Sequence, residues 1–273
     1  MTAETKKDTT RAHEHEFTMD ASPATVWKAI TDAEELVNWF PMEAQVEAGV
    51  GGRINYGWAP EMQNPCRIEI WAPQSHLRTS WMEPVAGNAD GTRTASVVDW
   101  FIKGDGGKTI LRLVHSGFGS GSEWDNDYDG SNRGWNYELR SLRHYLKYHL
   151  GTQRKMIAVR QETTLSPSEV WKRLMGPNGL APAAGDKALT EGHPYLFKSA
   201  AGDDLQGEVI LADPPLSFAG TVTNMNNAIF RFAHETCFGK PEAFVFISTW
   251  GADEQENTQL EGRLKQMLLR LFA

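Results

Sequence analysis

Aromatic side chains are the residues of this sequence that are best suited to form a binding site. The chain has ten tryptophans, and most of them lie in its first half. Seven aromatic residues crowd a strand-rich part of that half: Trp39, Phe40, Trp58, Trp71, Trp81, Trp100 and Phe101. A cavity lined by indole rings with few polar groups suits a lipophilic or aromatic small molecule. The alternative is that these rings fill a hydrophobic core, where large aromatic side chains are common.

One histidine stands out among the polar candidates. Residues two apart in a strand share a face, so Leu111, Leu113 and His115 are expected in one inward-facing row. A neutral imidazole there could orient a ligand hydroxyl or carbonyl, or exchange protons near neutral pH. No carboxylate neighbours His115 in the sequence, so no catalytic residue is assigned. The alternative is a structural histidine that is hydrogen-bonded to the Ser-Gly turn following it.

Two metal-binding patterns fail on closer comparison. The acidic segment 125–130 matches the opening of an EF-hand calcium loop, with oxygen ligands at alternating positions followed by glycine. Its eighth position is Asn132 instead of an apolar residue, and its twelfth is Asn136 instead of a bidentate glutamate. The segment is therefore interpreted as a solvated cap near the positive end of the next helix. His13 and His15 fall in a polar amino-terminal stretch, where they are expected to be exposed. No metal and no cofactor is predicted.

Composition and charge exclude several classes of protein. The formal net charge is -8 at pH 7 without a basic stripe, so nucleic acid is not an expected partner. No apolar run is long enough to cross a bilayer, and residues 1–16 lack the apolar centre of a signal peptide. Cys66 and Cys237 have no spacing typical of a zinc site and are expected to be reduced thiols. These features predict a cytoplasmic protein with no membrane span.

A short phrase that occurs twice indicates how the chain is organised. Residues 22–27 read Ser-Pro-Ala-Thr-Val-Trp, and residues 166–171 read Ser-Pro-Ser-Glu-Val-Trp. Each phrase is typical of a helix start, because serine caps free backbone N–H groups and proline fits the first helical position. The copies are roughly 140 residues apart, about the size of one compact domain. The sequence therefore predicts a tandem of two related domains.

The first repeat is expected to combine helices with a run of strands. A strand around residues 15–19 leads into the capped helix, and a second helix covers residues 34–39. Extended segments bounded by Pro, Gly, Asn or Asp are predicted at residues 53–58, 67–71, 77–81, 95–102 and 109–115. The repeat ends in a helix from Gly134 to about Leu150.

The last helix of each repeat has an apolar stripe. It is formed by Trp135, Leu139, Leu142 and Leu146 in the first repeat, and by Leu260, Leu264, Met267 and Leu271 in the second. The surface available to cover this stripe is an antiparallel sheet, so each repeat is predicted to be an α+β domain whose curved sheet wraps around a long C-terminal helix. We expect a disordered tail over residues 1–13, one domain over 14–151 and a second over 152–273.

Several motifs of the first repeat carry a resemblance to a known family. They are Ser22-Pro23 with Val26-Trp27, Trp39-Phe40-Pro41, Gly51-Gly52, the stretch from Trp71-Ala72-Pro73 to Trp81, His115-Ser116-Gly117-Phe118, and Gly134-Trp135. Together they resemble the activators of heat-shock-protein-90 ATPase homologues, which are similar to the START and Bet v 1-like helix-grip superfamily. The second repeat lacks the Trp-Phe-Pro, His-Ser-Gly-Phe and Gly-Trp elements, so it is a degenerate copy.

The resemblance implies a fold more than an activity. Our main hypothesis is a binding protein that holds a small hydrophobic molecule in the first domain, lined by Trp39, Phe40, Trp58, Trp71, Trp81, Trp100, Leu113, His115, Trp135 and Leu139. One alternative is an interaction protein that stimulates the ATPase of a chaperone partner. Another is an aromatase or cyclase that uses His115 or Arg53 as its polar agent in the same cavity.

Overall fold

A computed structural model describes residues 10–60, 62–81, 96–185, 189–237 and 240–273. The chain divides into two compact units, Met1–Gly151 and Thr152–Ala273. Each unit contains one antiparallel sheet and a long C-terminal helix. The predicted α+β fold class with two helix-grip domains is therefore confirmed.

The first unit is built on a seven-stranded sheet. Its strands are β1 Arg11–Met19, β2 Glu43–Glu47, β3 Arg53–Ala59, β4 Met62–Ala72, β5 His76–Trp81, β6 Ser96–Asp105 and β7 Lys108–Phe118. Their order across the sheet is β1-β7-β6-β5-β4-β3-β2, and every neighbouring pair is antiparallel. Strands that follow one another from β2 to β7 are therefore neighbours, and β1 closes the row beside β7.

Three helices complete the first unit. Helices α1 Pro23–Thr31 and α2 Ala33–Leu36 connect β1 to β2, and α3 Asp125–Tyr148 follows β7. Helix α2 ends at Leu36, so the prediction of a helix to residue 39 was too long. The apolar stripe of α3 is buried, as its spacing predicts: Trp135, Leu139, Leu142 and Leu146 are all in the core.

Helix α3 begins nine residues before the predicted start at Gly134. The acidic segment 125–130 forms its first turns, so its acids lie at the positive end of the helix as predicted, but within the helix itself. Asp125 and Asp127 lie in the first turn, where carboxylates stabilise the positive end of the helix. A methyl group added at Gly130 or Gly134 would meet open space, so these glycines lower helix propensity without marking a break.

Strand β1 begins at Arg11, so residues 11–13 belong to the sheet and not to the predicted tail. Residues 1–9 of that tail lie outside the described residues. Pairing with β7 runs from Ala12 opposite Ser116 to Met19 opposite Thr109. The start of the strand is held by Arg11, whose Nε donates to the Gly119 carbonyl at 2.9 Å.

The second unit repeats this architecture with a smaller sheet. Its strands are β8 Arg154–Glu162, β9 Pro194–Lys198, β10 Asp204–Asp213, β11 Ser217–Val222, β12 Ala228–Cys237 and β13 Lys240–Trp250. The sheet order β8-β13-β12-β11-β10-β9 matches the order β1-β7-β6-β5-β4-β3 of the first unit. Among the described residues of the second unit, no strand corresponds to β2. Helix α4 Pro167–Leu174 follows β8, and α5 Glu254–Phe272 closes the unit. The stripe of Leu260, Leu264, Met267 and Leu271 is buried in its core.

Neither long helix suggests a membrane segment. Across the described ranges, no helix is both long enough and apolar enough to cross a bilayer.

The two serine caps provide a first testable prediction. Ser22 Oγ accepts a hydrogen bond from the Thr25 backbone N–H at 3.2 Å, and Ser166 Oγ accepts one from Glu169 at 3.3 Å. Ser22→Ala and Ser166→Ala should each lower the free energy of unfolding by about 1 kcal/mol in chemical denaturation, whereas the matched glycine variants should lose only a few tenths. Unchanged stability of both alanine variants would contradict the capping role.

Candidate functional site

The inward face of the first sheet carries two rows of side chains that point toward α3. Thr79, Val98, His115 and His13 lie opposite one another across β5, β6, β7 and β1. The adjacent row contains Leu77, Trp100, Leu113 and His15. Leu113 is fully buried, and so is Leu139 on α3. In the second row, leucines thus alternate with the Trp100 ring and the His15 imidazole.

Seven aromatic rings form one cluster between the sheet and α3, called the ring cluster here: Trp39, Phe40, Tyr56, Trp58, Trp81, Trp100 and Trp135. Trp135 of α3 is central, with ring centroids 4.9 Å from Trp81, 5.3 Å from Trp100 and 5.3 Å from Phe40. Such distances are typical of favourable tilted and edge-to-face contacts. The structure therefore brings together six of the tryptophan and phenylalanine residues that the sequence singled out.

The ring cluster reaches from the core to the surface of the unit. Trp39 has no exposed surface, and Trp100 and Trp135 are each 2% exposed. Trp58 on β3 is only half-buried and contacts Phe40 at 5.3 Å. Tyr56 was missed by the sequence analysis, although alternation along β3 places it on the same face as Trp58. One edge of the cluster is thus open to solvent.

Trp39 also has a structural role. Its indole N–H donates to the Ala29 carbonyl at 2.9 Å, and its own carbonyl accepts from Ser141 Oγ at 2.9 Å. These bonds tie the segment after α2 to α1 and to α3. Trp39 therefore positions the ring cluster as well as belonging to it.

Trp71 lies apart from the ring cluster. A bulge between Ile68 and Ile70 in β4 shifts the register, so that Trp71 pairs with Leu77. Within the described residues its ring contact is with Trp27 of α1, at a centroid distance of 5.0 Å. The sequence pattern could not show this separation, because alternation assigns a residue to a face of the sheet but does not determine which ring it contacts.

His115 is held in a chain of hydrogen bonds. Its Nδ1 lies 3.1 Å from the indole nitrogen of Trp135. An indole N–H can only donate, so Nδ1 accepts this hydrogen bond. Nε2 must then carry the proton of the neutral ring and donate to Ser96 Oγ at 3.0 Å, while Ser96 donates to the Trp81 carbonyl at 3.0 Å. The partners are therefore Trp135 and Ser96 rather than the Ser-Gly turn considered from the sequence.

The environment of His115 keeps its ring neutral. The side chain has no exposed surface, and burial, with a smaller contribution from His13, lowers the pKa of His115 to about 3. Both ring nitrogens already have partners, so proton exchange near neutral pH would break this chain. Arg53, the other polar agent considered for an enzyme, is exposed at the start of β3. In the structure His115 links Trp135 of α3 to Ser96 of β6.

His13 and His15 are inward-facing residues of β1, so the prediction that they are exposed was wrong. His13 is 6% exposed, and its ring lies 5.2 Å from that of His115 and 5.4 Å from that of Phe118. The signal that could have found them is the period-two row that they form with Phe17 and Met19. In the ranges covered by the structure, no group of three or more His, Cys, Asp or Glu side chains is arranged to hold a metal ion.

Residues 20–147 match the model of a protein family described as activator of Hsp90 ATPase homolog 1-like protein. This match spans most of the first unit and includes the whole ring cluster. The first unit is therefore similar to this family over most of its length. A comparison with curated proteins finds no match.

A comparison with solved structures finds proteins that match about half of this chain and proteins that match nearly all of it. Protein MLL2253 from Mesorhizobium loti is 24% identical, covers 51% of this chain and 98% of its own, and has a TM-score of 0.45. DynU16, from the dynemicin biosynthetic locus, is 15% identical over 94% of this chain and 95% of its own, with a TM-score of 0.42. The di-domain ARO/CYC BexL, from the BE-7585A biosynthetic pathway, is 13% identical over 94% and 98%, with a TM-score of 0.43.

Proposed function

We propose that the first unit binds a small hydrophobic or aromatic molecule against the ring cluster, between its sheet and α3. The observation that carries this proposal is the ring cluster itself, which is buried at Trp135 and half-exposed at Trp58. Flat indole faces offer a large contact area with little loss of side-chain entropy, and a few polar groups among them can orient a ligand.

The second unit supports the proposal as an internal comparison. It has the same strand order, yet its described buried aromatic residues are mostly phenylalanines: Phe197, Phe218, Phe230, Phe232, Phe244 and Phe272, with Tyr195, Trp171 and Trp250. This fold can therefore be packed without a group of tryptophans. The first unit buries four tryptophans in its interior: Trp39, Trp81, Trp100 and Trp135. Core packing alone does not require such a group, and its presence favours a role in binding.

A half-buried tryptophan gives a test that should leave the fold intact. We expect 1-naphthol, used as an aromatic probe, to bind the full chain in isothermal titration calorimetry. Trp58→Ala removes one ring face at the open edge of the cluster and should weaken binding about tenfold, which corresponds to about 1.4 kcal/mol. The matched control is Trp27→Ala, because Trp27 is also half-buried but contacts Trp71 instead of the cluster.

The outcome depends on the difference between these two variants. Weakened binding in Trp58→Ala alone, with unchanged circular dichroism, would support the ring cluster as the binding surface. No binding to the wild-type chain, or equal affinities of the two variants, would contradict the proposal.

The family description motivates a second candidate. Homologues of an Hsp90 ATPase activator could act on a chaperone instead of on a small molecule, and the match covers residues 20–147. Stimulation of a chaperone ATPase by the full chain would support this candidate. An unchanged ATPase rate together with a failed pull-down would remove it.

A further inference from the structure

Three buried polar atoms on the inward face of the first sheet have no hydrogen-bond partner among the described residues. They are Nδ1 of His13, Nε2 of His15 and Oγ1 of Thr79. An unpaired polar atom in an apolar interior costs free energy, so a native structure that keeps one there calls for an explanation. His13 is the most informative of the three, because its protonation can be worked out from its neighbours.

His13 presents a hydrogen-bond acceptor to the interior. Its Nε2 lies 3.0 Å from Ser131 Oγ, and that hydroxyl donates to backbone carbonyls of α3, at 2.7 Å to Asp127 and 3.1 Å to Tyr128. Ser131 must then accept from His13, so Nε2 carries the proton and Nδ1 holds a lone pair. Burial, with a smaller effect from His15, lowers the pKa of His13 to about 4, which keeps the ring neutral.

Among the described residues, no group around His13 supplies the missing donor; the His15 ring, whose centroid lies 5.5 Å away, makes no hydrogen bond to Nδ1. The Nε2 proton of His115 is directed to Ser96, and the Tyr128 hydroxyl donates to the Ala12 carbonyl at 3.1 Å. The Phe118 ring, 5.4 Å away, has no polar hydrogen. Among the described residues no donor is left for Nδ1, so a bound molecule would supply it.

The surroundings of His13 restrict which kind of molecule can carry that donor group. The His13 ring is enclosed by the rings of His115, Phe118 and Tyr128 at centroid distances of 5.2 to 5.4 Å. His115 in turn lies 5.8 Å from Trp81, so this group is continuous with the ring cluster. Flat aromatic molecules suit such a lining better than branched or charged ones.

Building on the proposed function, we infer that the ligand of the first unit is a hydroxylated aromatic molecule. Its hydroxyl donates a hydrogen bond to His13 Nδ1, and its ring packs against the ring cluster. The contact is a binding interaction alone and requires no chemical step.

A pair of probes that differ in one donor tests this inference on the full chain. 1-Naphthol has a hydroxyl proton, whereas 1-methoxynaphthalene has the same rings without it. We expect 1-naphthol to bind the wild-type protein about tenfold more tightly in calorimetric titration. His13→Phe keeps an aromatic ring but removes the acceptor, so this preference should disappear. Thr79→Val removes another unpaired atom three strands away in the same row and should keep the preference.

A spectroscopic readout covers the case in which His13→Phe fails to fold. The ¹⁵N chemical shift of His13 Nδ1 in the wild-type protein should move on addition of 1-naphthol and not on addition of 1-methoxynaphthalene. Equal affinities of the two probes, or a preference that persists in folded His13→Phe, would overturn this inference and leave the proposed function standing. Failure of both probes to bind would contradict the proposed function and this inference with it.

Discussion

Replacing Trp135 by alanine should lower the free energy of unfolding of the first unit by about 4 kcal/mol, because the change removes a ring at the centre of the cluster. The side chain is 2% exposed and contacts the rings of Phe40, Trp81 and Trp100. Chemical denaturation followed by circular dichroism measures the loss. A chain with two units can unfold in two steps, so the transition shifted by the variant identifies the first unit.

Two further variants separate the contributions of the Trp135 side chain. Trp135→Phe keeps most of the ring contact but leaves His115 Nδ1 without its donor, and should cost about 2 kcal/mol. Tyr148→Ala changes an aromatic residue on the same helix that is 49% exposed, and should cost about 0.5 kcal/mol or less. Equal losses for Trp135→Ala and Tyr148→Ala would contradict a central role for Trp135.

Acid should destabilise the first unit strongly, because two buried histidines stay neutral when it is folded. Burial lowers the pKa of His115 to about 3 and that of His13 to about 4, from 6.5 in the unfolded chain. Between pH 4 and pH 6.5 these histidines are protonated in the unfolded chain and neutral in the folded one. The free energy of unfolding is therefore highest above pH 6.5 and falls as the pH drops toward 4. The two groups together predict a loss of about 5 kcal/mol between pH 7 and pH 4.5.

A third inward-facing histidine acts in the same direction. Burial and, to a smaller extent, Arg140 of α3 also lower the pKa of His15, while its hydrogen bond to the Asn132 side chain opposes this shift. Denaturation at pH 7, 6 and 5 should give a shallower pH dependence for His115→Gln than for the wild type. His193→Ala, which changes an exposed histidine of the second unit, should leave the dependence unchanged. Identical slopes in all three proteins would contradict the neutral, buried state of His115.

Much of the fold could be predicted because it depends on local periodicity. The buried rows of Leu77, Thr79 and Trp81 and of Leu111, Leu113 and His115 lie where alternation places them. The stripes of α3 and α5 follow the helical period in the same way. The repeated Ser-Pro phrase indicated two related units, because it caps an equivalent helix in each of them.

The features that could not be predicted depend on contacts between distant residues. β1 extends to Arg11 because that side chain binds the Gly119 carbonyl, 108 residues along the chain. The chain of hydrogen bonds from Trp135 through His115 and Ser96 to Trp81 joins three strands and a helix. Alternation could place these residues on one face, but not determine which atoms pair.

A crystal structure of the full chain grown with 1-naphthol is the most direct test of the central claim. Our account predicts density for one probe molecule between the first sheet and α3, in contact with the ring cluster. Density confined to the second unit, or an unliganded first unit at a probe concentration that saturates binding in solution, would contradict it.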